Sequence, residues 1–398
     1  MSISDDQKTM ILSSIAFFCL GVSLAVIGPV LPQLSQQSGA SLVEVGAVFS
    51  MLFLGALIAQ VAAGPISDRF GQRSVLFWGS LMLGAGMLVF TFSPNLWMLL
   101  LFAFLGGLGH GAVDLSANVM IARVFERRSV AALNLLNFFY GLGAFAGPAL
   151  VGLAIGAWKN GLYVPAVNGI LFIVLAPFIL KLNIPESAVS NNSSSLNNGA
   201  IIYRQPLLWM LGLLLLVYVG VENGLGGWIS TYMTETTRLS IDTAALVSSA
   251  FWMALTLGRL INAYLGMRLS PEKILFICLG TSFAGGLIFA FSTGNQWLSI
   301  TAILLAGLGF GAIYPTVIAI VNTTFRQHAG KAASLAAAMG SIGGMILPWA
   351  QGFILDRYGA SASAWFVAAG ITIMLGLFFA AYQLAQPSVQ SVPACETN

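Results

Sequence analysis

His110, Asp114 and Asn118 stand inside a long apolar stretch of this chain, Gly106 to Arg123. Their spacing is i, i+4, i+8, so on a helix they form one narrow polar stripe. A carboxylate in hydrocarbon is costly and marks a functional site by default. The stripe therefore reads as the lining of a polar pathway, with Asp114 as its coupling or binding carboxylate. A proton would neutralise that carboxylate. A sodium ion would do the same, held by oxygens of Asp114, Asn118 and the helix backbone, because hard cations take oxygen ligands. A neutral loaded site crosses a bilayer more easily than a bare anion, which is the simplest physical basis for coupling an ion to a solute. His110, one turn away, is placed to share or relay the proton.

A second acid inside an apolar stretch is Glu222, followed by Asn223 and Trp228. Trp228 offers a flat apolar face for a sugar ring, and Glu222 and Asn223 offer hydrogen bonds to hydroxyls. Gly224, Gly226 and Gly227 are poor for a straight helix, and a broken helix is tolerated where it lines a cavity. Arg259 is the one cation inside a span, with Asn262 on nearly the same face; Glu222 is its natural counter-charge. Tyr314 is a further polar candidate. The sequence shows no nucleophile–base pair, zinc-type spacing or phosphate loop, which argues against an enzyme, a bound cofactor or a nucleotide-driven pump.

These residues must be positioned by membrane helices. Of 398 residues, 58% are hydrophobic and 7% charged, against roughly 25% charged in a soluble domain. A helix needs about 20 apolar residues to span a bilayer. Apolar spans fall near 10–34, 46–66, 74–93, 96–122, 131–157 and 161–180, then near 206–234, 244–267, 274–292, 296–323, 332–355 and 361–384. Residues 183–205 are Ser/Asn-rich and read as a mobile linker between an N-terminal six-helix bundle (1–182) and a C-terminal one (206–385); 386–398 read as a disordered tail. The halves repeat at an offset of 200 residues. Gly107-Leu-Gly-His-Gly111 aligns with Gly307-Leu-Gly-Phe-Gly311, and Leu135, Gly143, Pro148 and Gly152 align with Leu335, Gly343, Pro348 and Gly352. His110, Asp114 and Asn118 become Phe310, Tyr314 and Ile318, so the first half kept the charge. The expected fold is an all-α membrane protein of twelve transmembrane helices, its two bundles related by a pseudo-two-fold axis.

With the N-terminus in the cytoplasm, twelve Lys/Arg residues fall in inner segments and three (Lys159, Arg238, Arg357) in outer loops, with Arg259 in a span. This asymmetry places both termini inside. The net charge of +3 gives no case for a nucleic-acid partner. The partners expected are the bilayer and a small-molecule solute, handled by a monomer in a plasma or inner membrane.

Between spans two and three lies Gly64-Pro-Ile-Ser-Asp68-Arg69-Phe-Gly71-Gln-Arg73. The pattern G-x-x-x-D-R-x-G-x-R resembles the signature of the major facilitator superfamily, and with the repeat the resemblance covers nearly the whole chain. It implies that Asp68, Arg69 and Arg73 latch the inward side when the transporter faces outward. Asp114-Leu-Ser-Ala-Asn118, then Ala132-Leu-Asn134-Leu-Leu-Asn137 and Gly141-Leu-Gly143-Ala-Phe-Ala-Gly147-Pro148, resemble the fucose:proton symporter branch, which includes sodium-dependent glucose transporter-like proteins. In that branch the acid couples cation movement to sugar binding. The match implies pathway roles for Asp114, Asn118, Asn134 and Asn137. Tyr140 stands where the fucose transporters have a second sugar-binding amide, and span one lacks their acid. The resemblance thus implies symport, with a proton or sodium, of a monosaccharide such as glucose or galactose. The alternative is a proton-coupled exporter of drugs or metabolites, since Gly147-Pro148 partly resembles the exporters' span-five signature.

Overall fold

This computed structural model describes residues 5–181 and 202–385. Linker residues 183–201 and the tail from Gln386 lie outside the described residues. Before the linker come α1 (Asp5–Ala25), α2 (Ile27–Ser38), α3 (Leu42–Phe70), α4 (Gln72–Thr91), α5 (Leu96–Val124), α6 (Ser129–Trp158) and α7 (Tyr163–Ile179). After it come α8 (Pro206–Thr236), α9 (Ile241–Leu265), α10 (Pro271–Phe291), α11 (Gln296–Phe310), α12 (Ile313–Thr324) and α13 (Ala329–Ala385). These make twelve spans. α1 and α2 form one span, interrupted at Val26, where Pro29 removes the N–H that would reach the Ala25 carbonyl. α11 and α12 form another. α13 forms two, parted at Gly359, whose φ of +83° is open to a residue without a Cβ.

Each half has its own core. Phe17, Leu20, Leu31, Val113 and Phe172 are buried together in the first, and Tyr218, Phe251, Phe310 and Ile371 in the second. The repeat seen in sequence is a repeat of contacts. A Cβ on Gly107 would strike the Leu52 backbone and one on Gly111 the Ala56 backbone; in the second half Gly307 faces Phe251 and Gly311 faces Leu255 in the same way. Gly143 lies against the Phe18 backbone as Gly343 lies against that of Leu216. Asn95 caps α5 by accepting from the Met98 N–H (2.9 Å), and Asn295 caps α11 by accepting from the Leu298 N–H (3.1 Å). In lipid no hydrophobic force draws helices together, so close approach at small residues supplies the attraction.

The halves are joined by a symmetric pair of bonds. Ser50 Oγ on α3 donates to the Met345 carbonyl on α13, and Ser249 Oγ on α9 donates to the Phe145 carbonyl on α6, each at 2.6 Å. Both acceptors lie three residues before a proline, Pro348 and Pro148. A proline inside a helix pushes the preceding turn open and starves its carbonyls of donors, so a side chain from the facing half can supply one. Beside these bonds the backbones of Gly28 and Gly227 touch. Trp228 of α8 is 1% exposed and buried in the first bundle's core. Its indole lies between Gly46 of α3 and Gly352 of α13, and Nε1 donates to the Pro348 carbonyl at 2.8 Å. Asp242 at the start of α9 rests on Gly152 of α6, within electrostatic reach of Lys159. All of these contacts lie toward the end where α3 and α9 begin and α6 ends, and because the bundles bond to each other there it is called the sealed end. Toward the other end Asn134, Asn137, Pro315 and Asn322 are exposed.

One expectation is corrected here. The glycines of span seven do not break it, since α8 runs unbroken from Pro206 to Thr236. Gly224 lies against Gln351, Gly226 against Trp252, and Gly227 against Phe49 and Gly28. Neighbouring helices occupy the space that side chains would have taken, and packing overrides the low helix propensity.

Two outcomes follow for the seal. Ser50→Ala with Ser249→Ala removes two bonds worth about 1 kcal/mol each, so the open population at this end should rise by roughly 10- to 30-fold. Maleimide labelling of Asn223→Cys, in a background without the native cysteines, measures it. Trp228→Ala empties a fully buried slot at a cost of about 3–5 kcal/mol. It should raise the same labelling further and lower the thermal midpoint.

Candidate functional site: a charged cluster between the bundles

Two tyrosines link three charged side chains from three other helices. The Tyr140 phenol on α6 senses Arg259 of α9, Glu222 of α8 and Asp114 of α5, and Tyr314 on α12 senses Asp114 and Glu222. Asp114 and Asn118 lie on the α5 face that carries Gly107 and Gly111, the glycines that bring this helix against α3. The Asn118 Nδ2 donates to the Asp114 carbonyl at 2.9 Å and to Asp114 Oδ1 at 3.1 Å. With two oxygens facing it, that atom must be the amide nitrogen. A sodium ion shared by Asp114 and Asn118 would therefore require the amide to turn over. One turn away, His110 Nδ1 is buried with no hydrogen-bond partner.

On the other side Glu222 and Arg259 do approach each other. Arg259 Nη2 stands 4.0 Å from Glu222 Oε1, with the side chains 29% and 10% exposed. Arg259 Nε donates to the Gly311 carbonyl at 3.2 Å. Tyr218, one turn before Glu222, donates its hydroxyl to the Phe310 carbonyl at 3.0 Å. Both acceptors lie at the break between α11 and α12.

The asparagines share a habit. Asn137 Nδ2 donates to the Leu133 carbonyl (2.9 Å), Asn223 Nδ2 to Val219 (2.8 Å) and Asn262 Nδ2 to Gly258 (2.8 Å), each one turn back on its own helix. With Asn118 doing the same, each of these amides turns one N–H back onto its own helix, and its oxygen remains an acceptor.

Several residues sit elsewhere than the sequence suggested. Trp228 is sealed between glycines and has no face open to a ligand, because Gly46 and Gly352 leave a slot the size of its indole. Asn262 is buried beside Cys278 of α10, inside the second bundle. Asn223 is buried on α8, whereas Asn134 and Asn137 are exposed on α6, with Tyr140 two turns beyond Asn134. In the loop motif, Arg73 Nη1 donates to the Leu180 carbonyl at 3.2 Å, within its own bundle, and Arg69 is exposed over the Phe70 ring at 5.2 Å. The Asp68 side chain lies outside the described residues. Sequence reasoning missed Tyr218, Ser50 and Ser249. The signal for all three was a proline, at 315, 348 or 148, whose starved carbonyls called for donors.

With this arrangement in view, the likenesses of the chain fall into place. A family model described as Major Facilitator Superfamily matches residues 13–240 and 211–394. The sodium-dependent glucose transporter 1 of Xenopus laevis is 23% identical, over 92% of this chain and 79% of that protein. The gentisate transporter of Corynebacterium glutamicum is 25% identical, over 84% of this chain and 78% of that protein. The crystal structure of the transporter FucP in the outward conformation superposes with a TM-score of 0.67 at 20% identity, covering 96% of this chain and 100% of that one. Family model and fold agree, and the chain belongs to the Major Facilitator Superfamily.

Proposed function

We propose that this protein is a cation-coupled symporter of a small polar solute, a monosaccharide such as glucose or galactose, with Asp114 as the coupling carboxylate. The charge balance of the central cluster carries the reading. Glu222 and Arg259 offset each other, which leaves Asp114 as the cluster's uncompensated charge. One bound cation makes the site neutral, and a neutral site can be re-exposed across the bilayer at far lower cost than an anion. With its amide nitrogen on Asp114, Asn118 offers sodium no second oxygen in this state, and the proton is the coupling cation of this reading. His110 is one turn away to accept or pass that proton.

The acceptor-rich lining supports a polyhydroxylated solute, whose hydroxyls would donate to the oxygens of Asn118, Asn137 and Asn223 and to Glu222, with Tyr140 and Tyr314 supplying hydroxyls and ring faces. The glucose transporters among the relatives support the same class. Lys/Arg placement supports a cytoplasmic position for both termini and an outer one for the sealed end; on that reading this conformer faces inward and the solute leaves toward the cytoplasm. One chain supplies both bundles, so a monomer suffices, in the inner or plasma membrane. A second reading, an acidic cargo or export, is favoured by the partly exposed Arg259 and by the gentisate relative.

Uptake into proteoliposomes tests this, with labelled glucose, galactose, fucose and gentisate under separately imposed proton and sodium gradients. Glucose or galactose should accumulate under the proton gradient. Accumulation of gentisate alone would favour the second reading, and no accumulation of any sugar under either gradient would sink symport. In Asp114→Asn, accumulation should fall to the level of equilibration while purified protein yield stays unchanged. Accumulation at the wild-type level in that variant would make Asp114 a packing residue.

A further inference from the structure

Span ten is broken, and the break has a local cause. A continuous helix would bond the Gly311 carbonyl to the N–H of residue 315, but that residue is Pro315, which has no N–H and whose ring crowds the carbonyl four residues back. The chain responds at Ala312, where φ is −112° and ψ is 2°, and α12 starts at Ile313. In water a starved carbonyl would be solvated. Inside a bilayer it needs a donor from elsewhere in the protein. Arg259 Nε meets the Gly311 carbonyl and Tyr218 Oη meets the Phe310 carbonyl. The Tyr218 ring also packs edge-on against Phe310, with centroids 5.8 Å apart. Glu222 lies one turn beyond Tyr218 on α8 and faces the Arg259 guanidinium.

We infer that Tyr218, Arg259 and Glu222 form a clamp on the broken span: Tyr218 and Arg259 satisfy the two carbonyls at the break, Glu222 holds Arg259, and together they fix where Tyr314 stands relative to Asp114. These are positioning residues. Arg259 need not touch the solute to be required, because its Nε is committed to the backbone and its Nη2 faces Glu222. Tyr314 follows the break directly, so its direction is set by the turn the clamp holds. The first half has no counterpart. At the offset that pairs Asp114 with Tyr314, Leu115 replaces Pro315 and α5 runs unbroken. The inference needs neither the sugar nor the coupling ion of the preceding section.

The test is hydrogen–deuterium exchange of the backbone amides of α12 in nanodiscs, without any solute. Glu222→Gln with Arg259→Met removes both charges together, so no buried ion is left unpaired. The amides of residues 313, 314 and 316–318 should exchange at least about tenfold faster than in wild type. Adding Pro315→Ala gives the Gly311 carbonyl a donor from its own helix, and exchange should return to the wild-type rate or below. Unchanged exchange in the charge-free pair would overturn the clamp. So would faster exchange that Pro315→Ala leaves in place, because Arg259 would then be supporting something other than the starved carbonyl. Tyr218→Phe keeps the ring and removes only the hydroxyl, and serves if the pair variant does not fold. It should speed the same amides severalfold, and wild-type rates in it would overturn the role of Tyr218. Glucose uptake can fail without affecting any of these readings.

Discussion

A backbone carbonyl inside a bilayer has no water to turn to. At three of the prolines within the spans, Pro148, Pro348 and Pro315, that constraint accounts for the donors packed beside the chain. Pro148 and Pro348 open the turns that carry Phe145 and Met345, and Ser249 and Ser50 cross from the opposite bundle to donate to them. The carbonyl of Pro348 itself takes the Trp228 N–H. Pro315 strands the Gly311 carbonyl, and Arg259 answers. Bonds between bundles and bonds at the site thus share one origin. The serine bonds are the reversible ones. Each is worth about 1 kcal/mol, small enough to break when the sealed end opens and large enough in sum to bias which end is closed.

Duplication built this frame and then let the chemistry diverge. The small residues that bring helices together persist in both halves, because replacing one forces a backbone to move. Gly111 against Ala56 and Gly311 against Leu255 are the same contact made twice. Side chains that face the centre carry no such restraint. Asp114 faces Tyr314 across the repeat, and His110 answers to Phe310, which fills the second core. The result is a first half that holds an unbalanced acid and a second half that holds a balanced ion pair.

The twelve spans, the two bundles and the glycine repeat were legible in the sequence because they rest on hydropathy and on residues that recur at a fixed offset. Asp114, Glu222 and Arg259 were legible because charge is scarce in lipid, and the pairing of the last two could be anticipated from the need for a counter-charge. Trp228 was misread. An indole beside an acid suits a sugar, but whether it meets a ligand or a slot depends on Gly46 and Gly352, more than a hundred residues away in either direction along the chain. The glycines of α8 were misread for the same reason, since propensity is local and the helices that fill their notches are not. Asn262 differs from Arg259 by three residues, yet that rotation carries it from the cluster to Cys278 inside the second bundle.

Balance and imbalance within one cluster have different consequences for movement. An ion pair such as Glu222 with Arg259 is already neutral, so carrying it through an alternating-access cycle adds no net charge to the low-dielectric interior. Its energetic weight lies in what happens when one member is lost, since the other then remains buried and unpaired. That makes the pair a poor place to release and rebind an ion on each cycle and a good place to hold a broken helix in register. Asp114 has the opposite character. Its amide partner carries no charge, so on the proposed function gain or loss of one cation would switch the site between neutral and anionic. The carboxylate that switches stands on an unbroken helix, and the one that does not switch stands beside the break. On the proposed function coupling and shape would fall to opposite halves, and Tyr140 and Tyr314 are each within electrostatic reach of both acids.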